Sequence, residues 1–512
     1  MLCEVVISSL DAAAPLQIEE EVLDERGPGI ESVETHVSTL TFRDGLVHKR
    51  KKPVRFRFID LSTPAQREHN CRREVDLNRQ FSPDVYLGVE EVVRDGRVVD
   101  HAVLMREMPK DRRLTTMIAR GDVVSGCLDA IAQSVATFHR RATRSEEITS
   151  VATPTALHDL WEESLLEIDG LSIAALDRQL VGDVRRLTHR YLDGRGPLLT
   201  ERMVGGCVVD GHGDLLADDV FCLDDGPRIL DCLEFDDRLR WGDVVNDVGF
   251  LAMDLERLGR RDLGASFLAD YRKHSGETHP TTLEDHYIAY RALVRAKVAY
   301  LRATDDALVL AHAYIGQCHS HLLAGRVRLV VVGGLPGTGK TTFANALGDE
   351  LGWAVLHSDV IRKELVGLDP LHHAPSSFGT GLYRPAMTDR TYDEMCARAR
   401  QLLGMGQSVI LDASFSTERH RRIAISVADS TSSDSYEVRC LLPTADAVRR
   451  LIARRVDHAD ASDADPEVAA RMAQKFDPWP EAFVVGTLPP VADVLPMIIE
   501  HVDSWVRAHE SS

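Results

Sequence analysis

The sequence predicts two domains of different class: an α+β domain in which a β-rich lobe precedes a helical one, and after it an α/β domain with a parallel sheet. Three observations carry this. Period-two alternation with Asp-Gly turns marks Val37 to Ile59 and the stretch from Tyr86 to Met108, on either side of one long helix. Helical patterns then run to about residue 325. There the text changes to an apolar run, a glycine turn and a helix, "VRLVVVGGLPGTGKTTFANALGDEL".

Taken in order, residues up to about Leu40 have weak periodicity and frequent acids, so no element is specified there. From Val37 to Ile59 the reading is β: "VSTLTFRDGLVHK" is a hairpin turning at Asp44-Gly45, and "VRFRFI" alternates with period two. Thr63 then caps a helix, with Pro64 in its first turn, that stops before "SPD". "YLGVEEVVRDGRVVDHAVLMREM" adds strands about a turn at Asp95-Gly96. From Leu114 to about Leu198 segments such as "CLDAIAQSVATFHRRA" are helical, an acidic β stretch interrupts, and helices resume to Leu323. Gly325 is a helix stop. The expected domains are therefore 1–325, with lobes of about 1–109 and 110–325, and 326–512.

Composition bounds the function. At 512 residues the chain exceeds a single core. Its 44% hydrophobic and 27% charged residues are those of a soluble globular protein. A formal net charge of −20 argues against a general nucleic-acid binder, which needs surplus Lys and Arg, but leaves room for a nucleotide at a local basic site. The nine cysteines have no CxxC spacing and an odd total, so they read as reduced thiols rather than a disulfide frame or a zinc site. The N-terminus lacks a basic n-region, and no apolar run reaches the roughly 18 residues of a membrane span, so a cytoplasmic location without a membrane partner is expected.

"GLPGTGKT", residues 334–341, satisfies G-x-x-x-x-G-K-[ST] between an apolar run and a helical one. Gly334, Gly337 and Gly339 let backbone N–H groups turn inward around phosphates, and the helix N-terminus behind them adds partial positive charge. Lys340 is expected to reach the β- and γ-phosphates of ATP and Thr341 to bind Mg²⁺, with Thr342 beside it in the nucleotide site. "SVILDAS" is an apolar run ending in Asp412, suited to the Mg²⁺ water shell. "AVLHSDVIRKEL" places Asp359 and Arg362 just after another strand, where open α/β sheets bind ligands.

This set resembles the small P-loop kinases of the gluconate-kinase and polynucleotide-kinase type. The resemblance implies that Asp359 helps activate an acceptor hydroxyl and that Arg362 clamps phosphate or substrate. "AVRRLIARRVDHADASDADP" offers Arg450, Arg454 and Arg455 at helical spacing. In that family such arginines lie on a lid over ATP; a solvated helix face is the alternative.

Carboxylates also crowd "VDGHGDLLADDVF" (209–221) and "ILDCLEF" (229–235), otherwise apolar runs joined by a turn at "DDGP". A carboxylate beside buried strands costs free energy unless paired, hydrogen-bonded or holding a metal. Two acids at adjacent strand ends suit phosphoryl transfer, one accepting the proton of an attacking hydroxyl and the other binding Mg²⁺. The stretch resembles the aminoglycoside-phosphotransferase branch of the protein-kinase-like fold, with its H-G-D-x-x-x-x-N loop and following I-D motif. That implies Asp214 as base, His212 as a prop of the loop and Asp231 as metal ligand. Asp219 occupies the usual Asn position, where it can still ligate Mg²⁺, and Leu216 replaces a polar residue.

A small-lobe lysine held by a helix glutamate is then required. In "LVHKRKKPV" the alternation favours Lys49, with Lys51 and Lys52 as alternatives, and "CRREVDLN" places Glu74 on the next helix. A solvated basic edge strand is the bland reading. "LEFDDRLRWGDVVNDVGFLAMDL" and "YRALVRAKVAYLRA" extend the likeness to a bacterial two-domain family. It fuses an aminoglycoside-phosphotransferase-like domain to a C-terminal P-loop ATPase or kinase domain. Glu234 and Asp236 fit its pattern; Asp243 and Asp247 are read first as structural groups pairing with Arg238, Arg240 or backbone N–H.

The predicted fold is thus an α+β kinase-like bilobal domain followed by an α/β P-loop domain. The expected function is ATP- and Mg²⁺-dependent phosphotransfer to a small-molecule hydroxyl at two ATP sites. The alternative is a P-loop kinase or ATPase regulated by an N-terminal pseudokinase, motivated by Asp219 and Leu216. A polynucleotide kinase is disfavoured because no basic stripe follows Arg326 beyond the late arginines.

Overall fold

The computed structural model describes residues 16–24, 31–56, 59–171, 173, 176–369, 381–457 and 466–509. The chain divides into two compact units. One comprises Met1–Ala156, Arg202–His279 and Tyr287–Cys318; the other comprises Leu157–Glu201, Pro280–His286 and His319–Ser512.

In the first unit a six-stranded sheet has the order β1-β7-β8-β4-β3-β2. Its strands are β1 (Leu16–Glu19), β2 (Glu31–Glu34), β3 (Ser38–Arg43), β4 (Leu46–Lys51), β7 (Tyr86–Arg94) and β8 (Arg97–Arg106). Asp44 and Gly45 turn the β3–β4 hairpin with φ of 53° and 77°, and Asp95 and Gly96 repeat this at 51° and 71° between β7 and β8. Both residues of such a two-residue turn need positive φ, which Asp tolerates and Gly adopts freely. The edge strands β1 and β2 fall in the segment without local pattern. β1 lies parallel to β7, a pairing set by a partner more than 70 positions away (Leu16↔Glu90).

"VRFRFI" is not one strand. It holds β5 (Arg55–Phe56) and the start of β6 (Ile59–Asp60), paired antiparallel to each other, and residues 57–58 lie outside the described residues. Alternation alone cannot separate a strand from a tight hairpin. The helix α1 (Pro64–Asn78) begins at the expected cap: the Thr63 hydroxyl accepts the Gln66 N–H while the Gln66 side chain accepts the Thr63 N–H. It buries Arg67, Cys71, Glu74, Val75 and Asn78, one face at i, i+4, i+7 spacing. That face packs on Val47, Tyr86, Val103 and Met105 of the sheet.

Below the sheet, β9 (Val208–Asp210) pairs with β12 (Trp241–Asp243), and β10 (Val220–Leu223) with β11 (Gly226–Ile229). Phe221 and Leu230 join the same core cluster as α1, which anchors the hairpin under the sheet. The helices α2 (Ser125–Arg141), α4 (Val244–Arg257) and α5 (Arg261–Ser275) form the helical part. The expectation of reduced thiols is corrected here: Cys127 on α2 is bonded to Cys222 on β10, while Cys71, Cys207, Cys232, Cys318, Cys396 and Cys440 are free. The two partners are 95 residues apart, so no local spacing announces the bond.

The second unit has a fully parallel sheet of order β14-β15-β13-β16-β17. Its strands are β13 (Arg328–Gly333), β14 (Ala354–His357), β15 (Val409–Asp412), β16 (Asp434–Leu441) and β17 (Phe483–Gly486). Every residue of β13 is buried, as a central parallel strand covered on both faces requires.

These units do not follow a single cut at 325. Helix α3 (Arg178–Gly194) and its neighbours travel with the second unit because Arg195, fully buried, donates to the carbonyls of Leu403 and Thr431. Gly194 is obligatory there, since a Cβ would stand 2.1 Å from the Thr431 carbonyl oxygen. Among the described residues no helix is long and apolar enough to cross a membrane.

Candidate active sites

In the first unit β4 is an interior strand, not a basic edge, and its alternation turns Lys49 and Lys51 to one face. Lys49 Nζ lies 2.8 Å from Glu74 Oε1 and 2.6 Å from Asp231 Oδ1. Lys51 Nζ lies 2.6 Å from Glu74 Oε2 and 2.6 Å from Glu234 Oε1. Glu74 therefore holds both lysines, one on each oxygen. Lys52 turns outward to Glu34 and the Thr35 carbonyl.

The electrostatics follow from burial and pairing. Burial works to lower the Lys49 ammonium, but Asp231 and Glu74 outweigh it and hold it well above the usual lysine range. Lys49 in turn holds the Asp231 carboxyl below the usual range. Burial pushes Asp214 up to about 6, Arg295 and Arg291 partly oppose this, and Asp231 adds to it. Asp219 is driven well above the carboxylate range by burial and then by Asp231, Asp214 and Asp218. Asp231, already charge-paired with Lys49, raises the proton affinity of both Asp214 and Asp219.

The loop carrying Asp214 is fixed by its backbone. Asp247, in the first turn of α4, accepts the N–H groups of His212 and Gly213, each at 2.8 Å. Its carboxylate also meets His139 Nε2 at 3.0 Å, and His139 Nδ1 meets the Tyr271 hydroxyl at 2.8 Å. Asp254 accepts the Ala217 N–H at 3.0 Å. His212 is buried, and its Nδ1 accepts the Asp214 N–H at 3.4 Å. The β10–β11 hairpin then sets Asp219 beside the second strand end, the Leu230 N–H donating to the Asp219 carbonyl at 3.0 Å.

The expected arginine partners of the structural acids need correction. Asp243 pairs with Arg202 at 2.7 Å and caps α4, while Arg240 reaches Asp210 at 2.8 Å and Arg238 reaches Asp236 at 2.8 Å. Sequence proximity suggested Arg238 and Arg240; the antiparallel β9–β12 pairing brings other residues closer. Backbone N–H is a partner of both acids, as one of the readings had it: Asp247 takes two, and Asp243 accepts the Val245 N–H at 2.8 Å.

In the second unit β13 runs into Gly334–Gly339 and helix α6 (Lys340–Leu351). Gly334 has φ of 147° and Gly337 of 82°; a Cβ would stand 2.6 Å from the Cys440 carbonyl at the first and 2.7 Å from the Ala447 carbonyl at the second. Gly339 starts the helix at φ of 83°. Lys340 and Thr341 are half-buried and Thr342 is exposed. Burial pushes the Cys440 thiol up to about 12, with Lys340 opposing and Asp412 reinforcing, so both charges act on the floor of this loop.

Asp412 ends β15 in register with Val332 of β13 and His357 of β14. Its Oδ2 lies 2.8 Å from His357 Nδ1, and its buried Oδ1 has no hydrogen-bond partner. An orphaned carboxylate oxygen at the strand end beside the P-loop fits the water shell of Mg²⁺. Asp359 and Arg362 lie on α7 (Ser358–Glu364), directly after β14; the Arg362 guanidinium is buried 4.6 Å from the Tyr383 ring. Arg450 reaches the Thr487 carbonyl at 2.9 Å, and a Cβ on Gly339 would stand 2.9 Å from its Nη1. The side chains of Arg454 and Arg455, and the loop after them, lie outside what the structure describes.

Among the described residues no group of three or more His, Cys, Asp or Glu is arranged to hold a metal ion. Magnesium in phosphotransferases needs only one or two carboxylates together with phosphate oxygens, which Asp231 with Asp219, and Thr341 with Asp412, can supply. Sequence reasoning named Lys51 and Glu234 but not their pairing, and read the segments holding His357, Arg291 and Arg295 without giving those residues a role.

A kinase-like unit with a Lys–Glu–Asp cluster and a parallel-sheet unit with a P-loop define the class, a protein that joins a kinase-like fold to an α/β P-loop fold. Residues 329–479 match the family described as an AAA domain. Over 477 residues the chain is 39% identical to the uncharacterized protein Rv2004c of Mycobacterium tuberculosis, covering 92% of this chain and 94% of that one. The same figures hold for the uncharacterized protein Mb2027c of Mycobacterium bovis. The chain belongs to this family, which joins an aminoglycoside-phosphotransferase-like domain to a C-terminal P-loop kinase domain. Among solved structures, a choline/ethanolamine kinase family protein from Mesorhizobium loti is 14% identical with a TM-score of 0.38, covering 63% of this chain and 95% of that one. The APS kinase of Mycobacterium tuberculosis is 21% identical with a TM-score of 0.27, covering 35% and 99%.

Proposed function

We propose that the chain is an ATP- and Mg²⁺-dependent phosphotransferase with two ATP sites, each passing phosphate to a small-molecule hydroxyl. The single observation that carries the reading is that one unit holds the Lys49–Glu74–Asp231 cluster and the other a complete P-loop. MgATP, when bound, supplies the phosphoryl group. In the first unit Lys49 binds the phosphates, Glu74 holds Lys49, and Asp231 with Asp219 holds the metal. Asp214 takes the acceptor's proton as its oxygen attacks the γ-phosphorus and ADP leaves. A base of pKa about 6 is mostly ionised at neutral pH and still basic enough to draw that proton.

In the second unit the N–H groups of 334–341 and Lys340 cradle the phosphates, Thr341 and Asp412 serve the metal, and Asp359 activates the acceptor while Arg362 clamps it. Arg454 is assigned to the lid. The net charge of −20 supports a small acceptor rather than a nucleic acid. We place the protein in the cytoplasm, where ATP is abundant.

The test is ATP consumption by wild type, Asp214→Asn and Lys340→Ala against sugars, aminoglycosides and nucleosides, with products followed by mass. Loss of a different product in each variant supports two kinases. If only Lys340→Ala changes turnover, the first unit is a pseudokinase that binds without transferring phosphate. Tight, salt-dependent binding of oligonucleotides would instead point to a nucleic-acid acceptor.

A further inference from the structure

Two arginines to which the proposed chemistry gives no role stand beside the proposed base of the first unit. They lie on the helix Thr281–Arg302, whose part from Tyr287 on belongs to that unit. Arg291 is buried; its Nε donates to the Asn246 carbonyl at 3.2 Å, and its guanidinium stands 4.6 Å from the centre of the Phe250 ring. Both partners are on α4. A Cβ on Gly249 of α4 would meet the Ile288 nitrogen and the Tyr287 carbonyl carbon, each at 3.5 Å. Because Arg291 meets Asn246 while residues 287–288 meet Gly249, the two helices run antiparallel, and one further turn carries Arg295 toward the start of α4. That is the end at which Asp247 holds the His212 and Gly213 N–H groups. Of the cations that act on the Asp214 carboxyl, Arg295 is accordingly the strongest and Arg291 the next.

The two differ in what they are free to do. Arg291 is committed to α4. Arg295 is half-buried and, among the described residues, enters no hydrogen bond or ion pair. Only its Nε is sealed from solvent; the outer nitrogens of the guanidinium are open. A guanidinium keeps its charge at any working pH and presents those nitrogens as a fork that fits a carboxylate or a phosphate. The other acids that act on Asp214 are already matched, Asp231 by Lys49 at 2.6 Å and Asp254 by Arg257 at 2.6 Å. Two guanidinium charges thus face one carboxylate, and a positive charge is left over where an acceptor's hydroxyl must arrive.

We propose that the acceptor of the first site is an anion, a small hydroxylated acid whose carboxylate or phosphate pairs with the outer nitrogens of Arg295 while its hydroxyl meets Asp214. This rests on the reading of the first unit as a phosphotransferase. The acceptor oxygen bonds to the γ-phosphorus of ATP and the bond from that phosphorus to the β–γ bridging oxygen breaks. ADP leaves with the electron pair, and the hydroxyl proton passes to Asp214. An ammonium acceptor sets like charge against Arg295, so the group that selects the acid also rejects the amine.

The test pairs binding with turnover. The full chain with MgADP is titrated calorimetrically with matched sets built on glycerol, ribose and glucose, each compound up to about 10 mM. Every set holds a carboxylate, a phosphate ester, the neutral parent and an amine. At least one acid is expected to saturate, with its neutral parent and amine at least about tenfold weaker. Whether the carboxylate or the phosphate of that set binds tells which anion the site takes. Arg295→Ala should weaken the acid about 10–100-fold, the loss of one charge-assisted pair, and Arg295→Lys less, with MgATP affinity unchanged in both. Under MgATP the same acid should be phosphorylated, Arg295→Ala raising KM far more than it lowers kcat and Asp214→Asn removing the product. No saturating acid, equal binding of its amine, undiminished binding by Arg295→Ala, or a loss of MgATP affinity in place of acid affinity each overturns the proposal. An acid that binds through Arg295 without Asp214-dependent product keeps the anion site and overturns the phosphotransfer reading. Asp214-dependent product from a neutral or amine acceptor alone does the reverse.

Discussion

The two proposed phosphate sites are built in opposite ways. The second is a run of contiguous backbone: glycines at 334, 337 and 339 take positive φ, and Lys340 and Thr341 follow at once. The first is assembled from side chains on β4, α1, the catalytic loop and the end of β11, with Lys49 and Asp231 182 residues apart. A contiguous loop carries its own geometry, so damage to it stays local. A site made of distant charges depends on groups that never touch the ligand, and so it has more ways to fail.

The largest expected effect tests whether the first site is a catalyst at all. Asp214→Asn should cut its product by about 10²–10⁴-fold, the usual worth of a positioned base, and leave the second site's product unchanged, measured by product mass. The reciprocal change, Lys340→Ala, should cost the second site about 10²–10³-fold through lost charge on the transferring phosphoryl group. Equal loss of both products in either variant would show that the sites work as one.

Asp247→Ala sharpens the contrast further, because that residue is placed to touch no ligand. It removes the acceptor of two buried N–H groups and the partner of His139, a change that typically costs about 3–5 kcal/mol. The first unit's melting transition should fall, and the second site's turnover should hold in the folded protein. No comparable outlying residue is expected to unseat the P-loop.

A smaller effect lies in pH. As the proposed base Asp214 must be ionised, so kcat/KM of the first site should fall tenfold per unit below an apparent pKa of about 6. Stability runs the other way. The folded chain holds that proton more tightly than the unfolded chain, so the contribution of Asp214 is fully present below the ordinary Asp range and is lost as pH rises through about 6. A profile flat from pH 5 to 8 would remove Asp214 as the base.

Much of the architecture was legible in the residues. The Thr63–Gln66 cap, the Asp-Gly turns and the glycines of the P-loop depend on atoms within about four positions of each other, and local backbone preference fixes them. Asp214, Asp231 and Glu74 could be picked out because a motif spaced them and because carboxylates in apolar runs demand partners.

The tertiary structure alone decided which partners they found. Lys51 joins Lys49 on Glu74, and Asp247 takes the His212 and Gly213 N–H groups rather than Arg238 or Arg240. His357 stands beside Asp412, and Cys127 meets Cys222. Residues 157–201 pack with the far end of the chain through Arg195. Each is a long-range pairing of groups taken out of water, and desolvation makes the pairing compulsory without saying who the partner is. Sequence therefore determined the elements, the loops and the need for charge compensation, and the packing of those elements determined how that need was met.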